Sequence, residues 1–313
     1  MSADSTAAVP LRASAMSVAC ALALVYVVWG STYLAIRLAL EGGWPPLLMA
    51  GSRFLVAGGL MYAVLRWRGV PAPTGAQWRN VAVMAVLLLG FGNGMVCIAE
   101  QTVSSGLAAV AVASAPLWMG LFASLRGERP QGLEWIGLAI GFVGVLWLNA
   151  GSSLTGTPVG LIALLIAPLA WAYGSIWSRG RDLPSPFMGA AAQMLVAGVL
   201  LPLAGFAMGE RLHQWPTWQS TLSVGYLVSF GSIVGFTAYV WLLHHVRPAL
   251  AGSYAYVNPV IAVVLGAWLA AERFSAHDIG AMVVVLAGVV AITLAKARKA
   301  PAPRPVAVDA ERG

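Results

Sequence analysis

Two charged residues stand where charge is costly. Arg53 lies inside the apolar run 46–65, seven residues past Pro46 and so about 10 Å deep at helical rise. An isolated base at that depth costs at least ~2.5 kcal/mol unless it is paired or solvated. Three outcomes are open: its stem snorkels to the headgroups, it pairs with Glu100, or it holds a substrate carboxylate. Glu100, followed by Gln101, closes the run 81–101 and is the one carboxylate near the middle of the chain's apolar bulk. Partial burial there would favour the protonated acid and open a route to proton coupling, whereas a solvated loop acid would do neither.

A second group consists of rings and small polar side chains at comparable depth. Trp29, Ser31 and Tyr33 fall in the first run, Asn93 in the third, and Ser114 and Trp118 in the fourth. Trp171, Tyr173, Ser175, Trp177, Tyr239, Trp241, Tyr254, Tyr256 and Asn258 follow in the second half. Such rings can stack on an amphiphilic or cationic substrate, or form the aromatic belts that many membrane proteins carry at both interfaces. Backbone breakers recur with them: Gly90, Gly92, Asn93 and Gly94, then Gly231 and Ser232, and the prolines Pro116 and Pro259. Broken backbone at membrane depth is tolerated beside protein or a water-filled cavity, so Gly92, Pro116, Gly231 and Pro259 are candidate hinges. Close helix packing is the blander use of such glycines.

Other chemistries lack their residues. No GxxxxGK[ST] loop is present to cradle a nucleotide. The adjacent His244 and His245 have no carboxylate or Cys at ligand spacing, and Cys20 and Cys97 sit far apart in apolar runs without a CxxC pair. The reading is therefore not an enzyme, with no cofactor, no metal and no catalytic residue; a membrane-embedded hydrolase would need a clustered nucleophile and base. The formal charge of +7 comes from singly spread arginines with no interleaved aromatic patch, which argues against nucleic acid.

The elements that must position these residues follow from composition. Of 313 residues 59% are hydrophobic and 9% charged, too few polar groups to coat a water-soluble body. Apolar runs fall at 15–38, 46–65, 81–101, 105–125, 133–149, 158–178, 186–208, 220–243, 249–271 and 278–295. Each is about the length a spanning helix needs, so the fold expected is an all-α integral membrane protein of ten transmembrane helices. The first run, preceded by one arginine and no A-x-A site, reads as a retained span. Residues 1–14 and 297–313 read as polar tails. Ten spans put both tails on one side, and that side carries fourteen of the seventeen loop bases, so both termini are expected in the cytoplasm.

The two halves match in order. Gly30-Ser31 pairs with Gly174-Ser175, Pro46 with Pro186, Leu55–Gly58 with Leu195–Gly198, Trp78 with Trp218, Pro116 with Pro259, Glu128-Arg129 with Glu272-Arg273 and Gly144 with Gly288. The offset stays between 140 and 144 residues, so residues 15–149 and 155–296 are two copies of one five-helix unit. Five is odd, so the second copy enters the membrane inverted. Arg53 has Gln193 as its counterpart, which leaves the arginine without support from symmetry. Gly137, Gly141, Gly144, Gly280 and Gly288 mark a close face on the fifth and tenth spans, serving either the two halves or a homodimer.

VWGSTYLAIR, AEQTVSSGLAAV and RPALAGSYAYVNPVIAVVLGAWLAAERF resemble EamA-type members of the drug/metabolite transporter superfamily, in particular its YedA-like exporter branch. The resemblance covers nearly all of 15–296. It implies a secondary transporter in the bacterial inner membrane that exports small metabolites, such as amino acids or amphiphilic drug-like compounds, by alternating access. It also implies a central cavity lined by the first, third, fourth, sixth, eighth and ninth spans. The partners expected are a small-molecule substrate, membrane lipid and a proton as candidate coupling ion, with monomer and homodimer both open. A passive facilitator or channel is the alternative.

Overall fold

The computed structural model describes residues 14–127, 132–150, 157–245 and 254–299. Among these, every regular element is helical. The helices are α1 (Ala15–Glu41), α2 (Pro46–Trp67), α3 (Gly75–Ala99), α4 (Ser105–Leu125) and α5 (Leu133–Ala150) in the first half. The second half supplies α6 (Pro158–Trp177), α7 (Pro186–Ala207), α8 (Trp218–Leu242), α9 (Tyr254–Leu269) and α10 (Ala276–Lys299). Among the described residues seven of these, α1–α4 and α6–α8, are long and apolar enough to cross a membrane, and shorter apolar helices occupy the remaining three positions. α10 runs to Lys299, so residues 297–299, expected in the tail, continue the helix. Residues 1–13 and 300–313, Glu128, Arg129 and Arg247 lie outside the described residues.

Local sequence sets the helix starts. Thr74 and Gln77 form a reciprocal capping box at α3, with Gln77 N–H donating to Thr74 Oγ1 at 3.2 Å and Thr74 N–H to Gln77 Oε1 at 3.1 Å. Thr157 and Thr217 cap α6 and α8 through Gly160 N–H and Ser220 N–H. Proline occupies the first turn of α2, α6 and α7, where its missing N–H costs nothing. Past the ends of α2 and α7, Gly69 and Gly209 turn the chain at φ +81° and +89°, a left-handed conformation that favours glycine. These two are again 140 residues apart.

Packing pairs the halves. α2 lies along α7 and α5 along α10. Along the first seam Gly51 faces Pro202, Leu55 faces Gly198 and Gly58 faces Leu195; one number rises as the other falls, so the helices run antiparallel. The two copies of Leu-Val-Ala-Gly thus meet each other reciprocally, as matched surfaces about a two-fold axis must. On the second seam Gly288 lies on Gly141, and Gly144 on Val285, again antiparallel. Several further contacts come in couples related by a shift of five helices: α1 packs on α8 and α9 as α6 packs on α3 and α4, and α8 touches α2 as α3 touches α7. Outward faces carry exposed Leu55, Val56, Leu60, Val64, Leu200, Leu203 and Phe206, an apolar surface suited to lipid.

Candidate functional site

The backbone breaks where Gly and Asn cluster. Within α3, residues Ala85–Gly94 widen into a π-helix, and within α8, Leu227–Val234 do the same. The wider turn shifts each carbonyl away from its α-helical donor, and such segments gather at functional sites. Each is clasped by a tryptophan from the other half. Trp29 of α1 donates its indole N–H to Gly231 O at 3.1 Å, and Trp171 of α6 lies so close to Gly92 that an added Cβ would sit 3.0 Å from its ring. The two glycines singled out as hinges, Gly92 and Gly231, therefore lie inside the altered segments. α4 is also interrupted, between Val112 and Ala115, with Pro116 opening its second part. Pro259 leaves α9 continuous, because it falls in the second turn of the described helix and removes a single hydrogen bond.

Trp29 anchors one group of the candidate residues. Its ring meets Tyr239 at 5.0 Å, Tyr254 at 5.0 Å and Phe236 at 5.5 Å, and Tyr239 meets Tyr254 edge-on at 5.5 Å. These rings touch one another and leave no slot between them, so in this conformation they seal α1 against α8 and α9. Asn258, buried, turns its amide nitrogen toward the carbonyl oxygens of Tyr26 and Tyr254 at 3.2 and 3.3 Å. Ser31 bonds Tyr226 Oη at 2.6 Å. Sequence reasoning passed over Phe236 and Tyr226; their spacing on α8 with Tyr239 was the available signal. The Tyr256 side chain lies outside the described residues.

The charged group forms where α1, α2 and α3 converge. Arg53 is 4% exposed and Glu100 2% exposed. Burial removes the snorkelling role for Arg53 and the solvated-loop role for Glu100. Arg53 stacks on the Phe54 ring at 4.4 Å, and among the described residues no hydrogen-bond partner is found for its Nε and Nη1 or for the Glu100 oxygens, although Arg37 acts on Glu100 through its charge and its backbone. The two side chains act on each other electrostatically without forming an ion pair. Tyr33 also lies in the field of Glu100, and Asn93 accepts the Cys97 thiol at 3.8 Å one turn before it.

Neighbouring charges are, in contrast, fully engaged. Glu272 accepts Ser105 N–H at 2.8 Å and Gly106 N–H at 3.3 Å, capping α4, and lies 3.6 Å from Arg37 Nε. Arg37 also bonds Glu41 Oε1 at 2.8 Å and Val103 O at 3.4 Å. Glu210 caps α2 by accepting Leu47 N–H and Leu48 N–H, each at 3.0 Å. Both caps cross between halves, and the sequence held no clue to either, since the partners lie 163 and 167 residues apart.

The other candidates lie elsewhere. Gln101 is exposed and bonds Ile98 O, and Ser114 and Ser175 return their hydroxyls to Ala111 O and Trp171 O. Trp118 packs on Phe142 of α5 at 4.6 Å, Tyr173 is 45% exposed beside Phe122, and Trp177 sits under Arg181. His245 stacks on Trp241. No group of three or more His, Cys, Asp or Glu suited to a metal occurs among the described residues.

The model of the EamA-like transporter family matches residues 16–150 and 158–294. The inner membrane transporter YedA of Escherichia coli K12 is 47% identical over 277 residues, 88% of this chain and 90% of its own. The transporter YvbV of Bacillus subtilis is 28% identical over 90% of this chain and 93% of its own. A protein of Salmonella typhimurium named a probable amino-acid metabolite efflux pump is 27% identical over 85% of this chain and 91% of its own. One solved crystal structure superposes with a TM-score of 0.63 at 22% identity, covering 89% of this chain and 98% of its own, which supports the fold alone.

Proposed function

Because the chain belongs to the EamA-like transporter family of the drug/metabolite transporter superfamily, we propose that it is a secondary transporter exporting small metabolites across the bacterial inner membrane. In this reading ten helices span the bilayer as two inverted five-helix repeats, residues 15–149 and 155–296, with both termini in the cytoplasm. The family and its named relatives point away from an enzyme.

One observation carries the mechanism: the paired π-helical segments of α3 and α8, each held by a tryptophan of the opposite half. Matched interruptions in two related halves mark the binding region and the hinges of alternating-access carriers. With α1, α8 and α9 sealed by rings in one state, rocking of one half against the other about the α2–α7 and α5–α10 seams would open that seal and close its counterpart.

Counterflow in proteoliposomes tests this. Labelled substrate should accumulate transiently only when unlabelled substrate is trapped inside, and at saturable rates; flux that runs downhill with no counterflow would identify a channel. An imposed pH gradient reports coupling. If Glu100 carries the proton, wild-type exchange varies with the gradient and Glu100→Gln exchange does not; pH dependence retained in the variant removes Glu100 from coupling.

A further inference from the structure

α1 is tied to the rest of the bundle at two depths. At mid-depth Trp29 donates to Gly231 O of α8 at 3.1 Å and meets Tyr254 of α9 edge-on at 5.0 Å. Eight residues on, about 12 Å along the helix, Arg37 touches three oxygens from three places. They are Glu41 Oε1 of its own helix at 2.8 Å, Val103 O of the α3–α4 turn at 3.4 Å and Glu272 Oε1 of the α9–α10 turn at 3.6 Å. Although the α3–α4 turn joins two spans, Val103 is 2% exposed and Ser105 fully buried, and both α1 and α9 pack on the start of α4.

The chain is bent to deliver Glu272 to this junction. Ala271 has φ +51°, a left-handed conformation that a residue with a side chain keeps only where its surroundings hold it, and such residues gather at switches. Glu272 N–H then returns to Gly266 O at 3.0 Å, and its carboxylate caps α4 through Ser105 and Gly106 N–H. The pairing of Arg37 with Glu272 is one that can be broken cheaply on both sides. On release Arg37 keeps Glu41, one turn on in the same helix, while Glu272 keeps two N–H groups and the positive end of α4. Neither charge is abandoned, which is what ordinarily makes separation of a buried pair costly.

We infer that Arg37 is the latch of α1: its release from Val103 O and Glu272 and the release of Trp29 from Gly231 O are one step, which frees α1 from α8 and α9 and uncovers the α3–α4 turn. Gly42 O, just past the end of α1, accepts Thr217 N–H at 2.9 Å and Ser220 O–H at 3.2 Å, and these bonds to the start of α8 supply the pivot. This role rests on the alternating-access reading, for which it names the moving helix and the residue that holds it.

The latch is read by the rate at which N-ethylmaleimide alkylates a thiol beneath it, in the purified full chain in detergent, where neither substrate nor sidedness enters. In a Cys20→Ser background, with the chain carrying only the buried Cys97 as the blank, Val103→Cys should react at least about 100-fold more slowly than the exposed Met208→Cys, because a buried thiol reacts only while the structure is open. Arg37→Gln should raise the Val103→Cys rate about tenfold, the effect of one lost charge-assisted hydrogen bond on an opening equilibrium. Arg37→Lys, which keeps the charge, should stay within about threefold of the intact latch. Glu210→Ala, which removes a cap of α2 remote from the turn, should leave the rate unchanged.

Trp29→Phe separates a latch from a local contact, since it keeps a ring but loses the N–H bond to Gly231 O. It should raise the Val103→Cys rate about fivefold from two turns away. An unchanged rate in Trp29→Phe would reduce Arg37 to a local contact and overturn the inference. Equal acceleration by Glu210→Ala, the mark of general loosening, would overturn it too, as would rapid reaction of Val103→Cys beside an intact Arg37. Each of these leaves the exporter reading standing, because counterflow tests that reading by itself. Coupled labelling in a protein that shows no counterflow would keep the latch and remove the carrier.

Discussion

Gly58 of α2 and Gly198 of α7 occupy the same place in their two halves and face each other's repeat. A Cβ added to Gly58 would fall 2.7 Å from Met194 Cβ, and one added to Gly198 would fall 2.6 Å from the backbone of Leu55. The seam between the halves is therefore built from the repeated Leu-Val-Ala-Gly motif packed on itself, with backbone approaching backbone.

That geometry makes a sharp prediction. Gly58→Leu or Gly198→Leu must part α2 from α7 and should cost roughly 3 kcal/mol or more, since neither backbone can yield. A Cβ at Gly59, one residue on, meets nothing within 4 Å, so Gly59→Ala should leave stability unchanged or raise it by up to about 1 kcal/mol. Thermal unfolding in detergent reads both; equal effects at the two neighbouring positions would show that the seam is not as described.

The two buried charges predict a different pattern. Either single neutralisation leaves the other charge buried without its counter-charge, and Arg53→Gln also gives up the stacking on Phe54, so each single variant should unfold below the wild-type temperature. Replacing both by apolar groups of similar volume, Arg53→Met with Glu100→Leu, removes both desolvation costs and should recover wild-type stability or exceed it by roughly 1–3 kcal/mol. Thermal unfolding reads all three; losses that simply add in the double variant would show that the two charges do not compensate each other.

The cross-half caps differ in weight. Glu210→Ala removes two acceptors from the first turn of α2 and should cost about 1 kcal/mol. Glu272→Ala removes the α4 cap and also abandons Arg37, so a loss of roughly 3 kcal/mol is expected. Glu272→Gln, which keeps an acceptor but not the charge, should fall between. A scan of unfolding temperature over the three variants gives the order.

Much of this was legible in the chain and some was not. The apolar runs placed most described helices to within about four residues, but α3 begins at Gly75, six residues before the run 81–101, because its first turn is polar and capped by Thr74 and Gln77. The glycine and asparagine cluster at 90–94 and Gly231-Ser232 anticipated the π-helical segments, because residues without large side chains let the backbone widen. Periodicity could not say that Arg53 and Glu100 are buried and unpaired, since burial at a helix end depends on what another helix lays over it. Nor could it separate Trp29, which closes on Tyr239 and Tyr254, from Trp118 and Trp177, which have the same composition nearby but face Phe142 and Arg181. Arg37 reads as a loop base in the sequence; the structure extends α1 to Glu41 and makes Arg37 the link between α1, the α3–α4 turn and Glu272.

The inverted threading of the two halves is tested most directly by labelling a matched pair of loop positions in intact cells. Arg68 and Met208 follow α2 and α7, 140 residues apart. In a Cys20→Ser background, with the buried Cys97 retained, Met208→Cys should react with a membrane-impermeant maleimide from outside. Arg68→Cys should react only after the membrane is permeabilised. Reaction of both from the same side would contradict the account, because equivalent points of two inverted repeats cannot share a face.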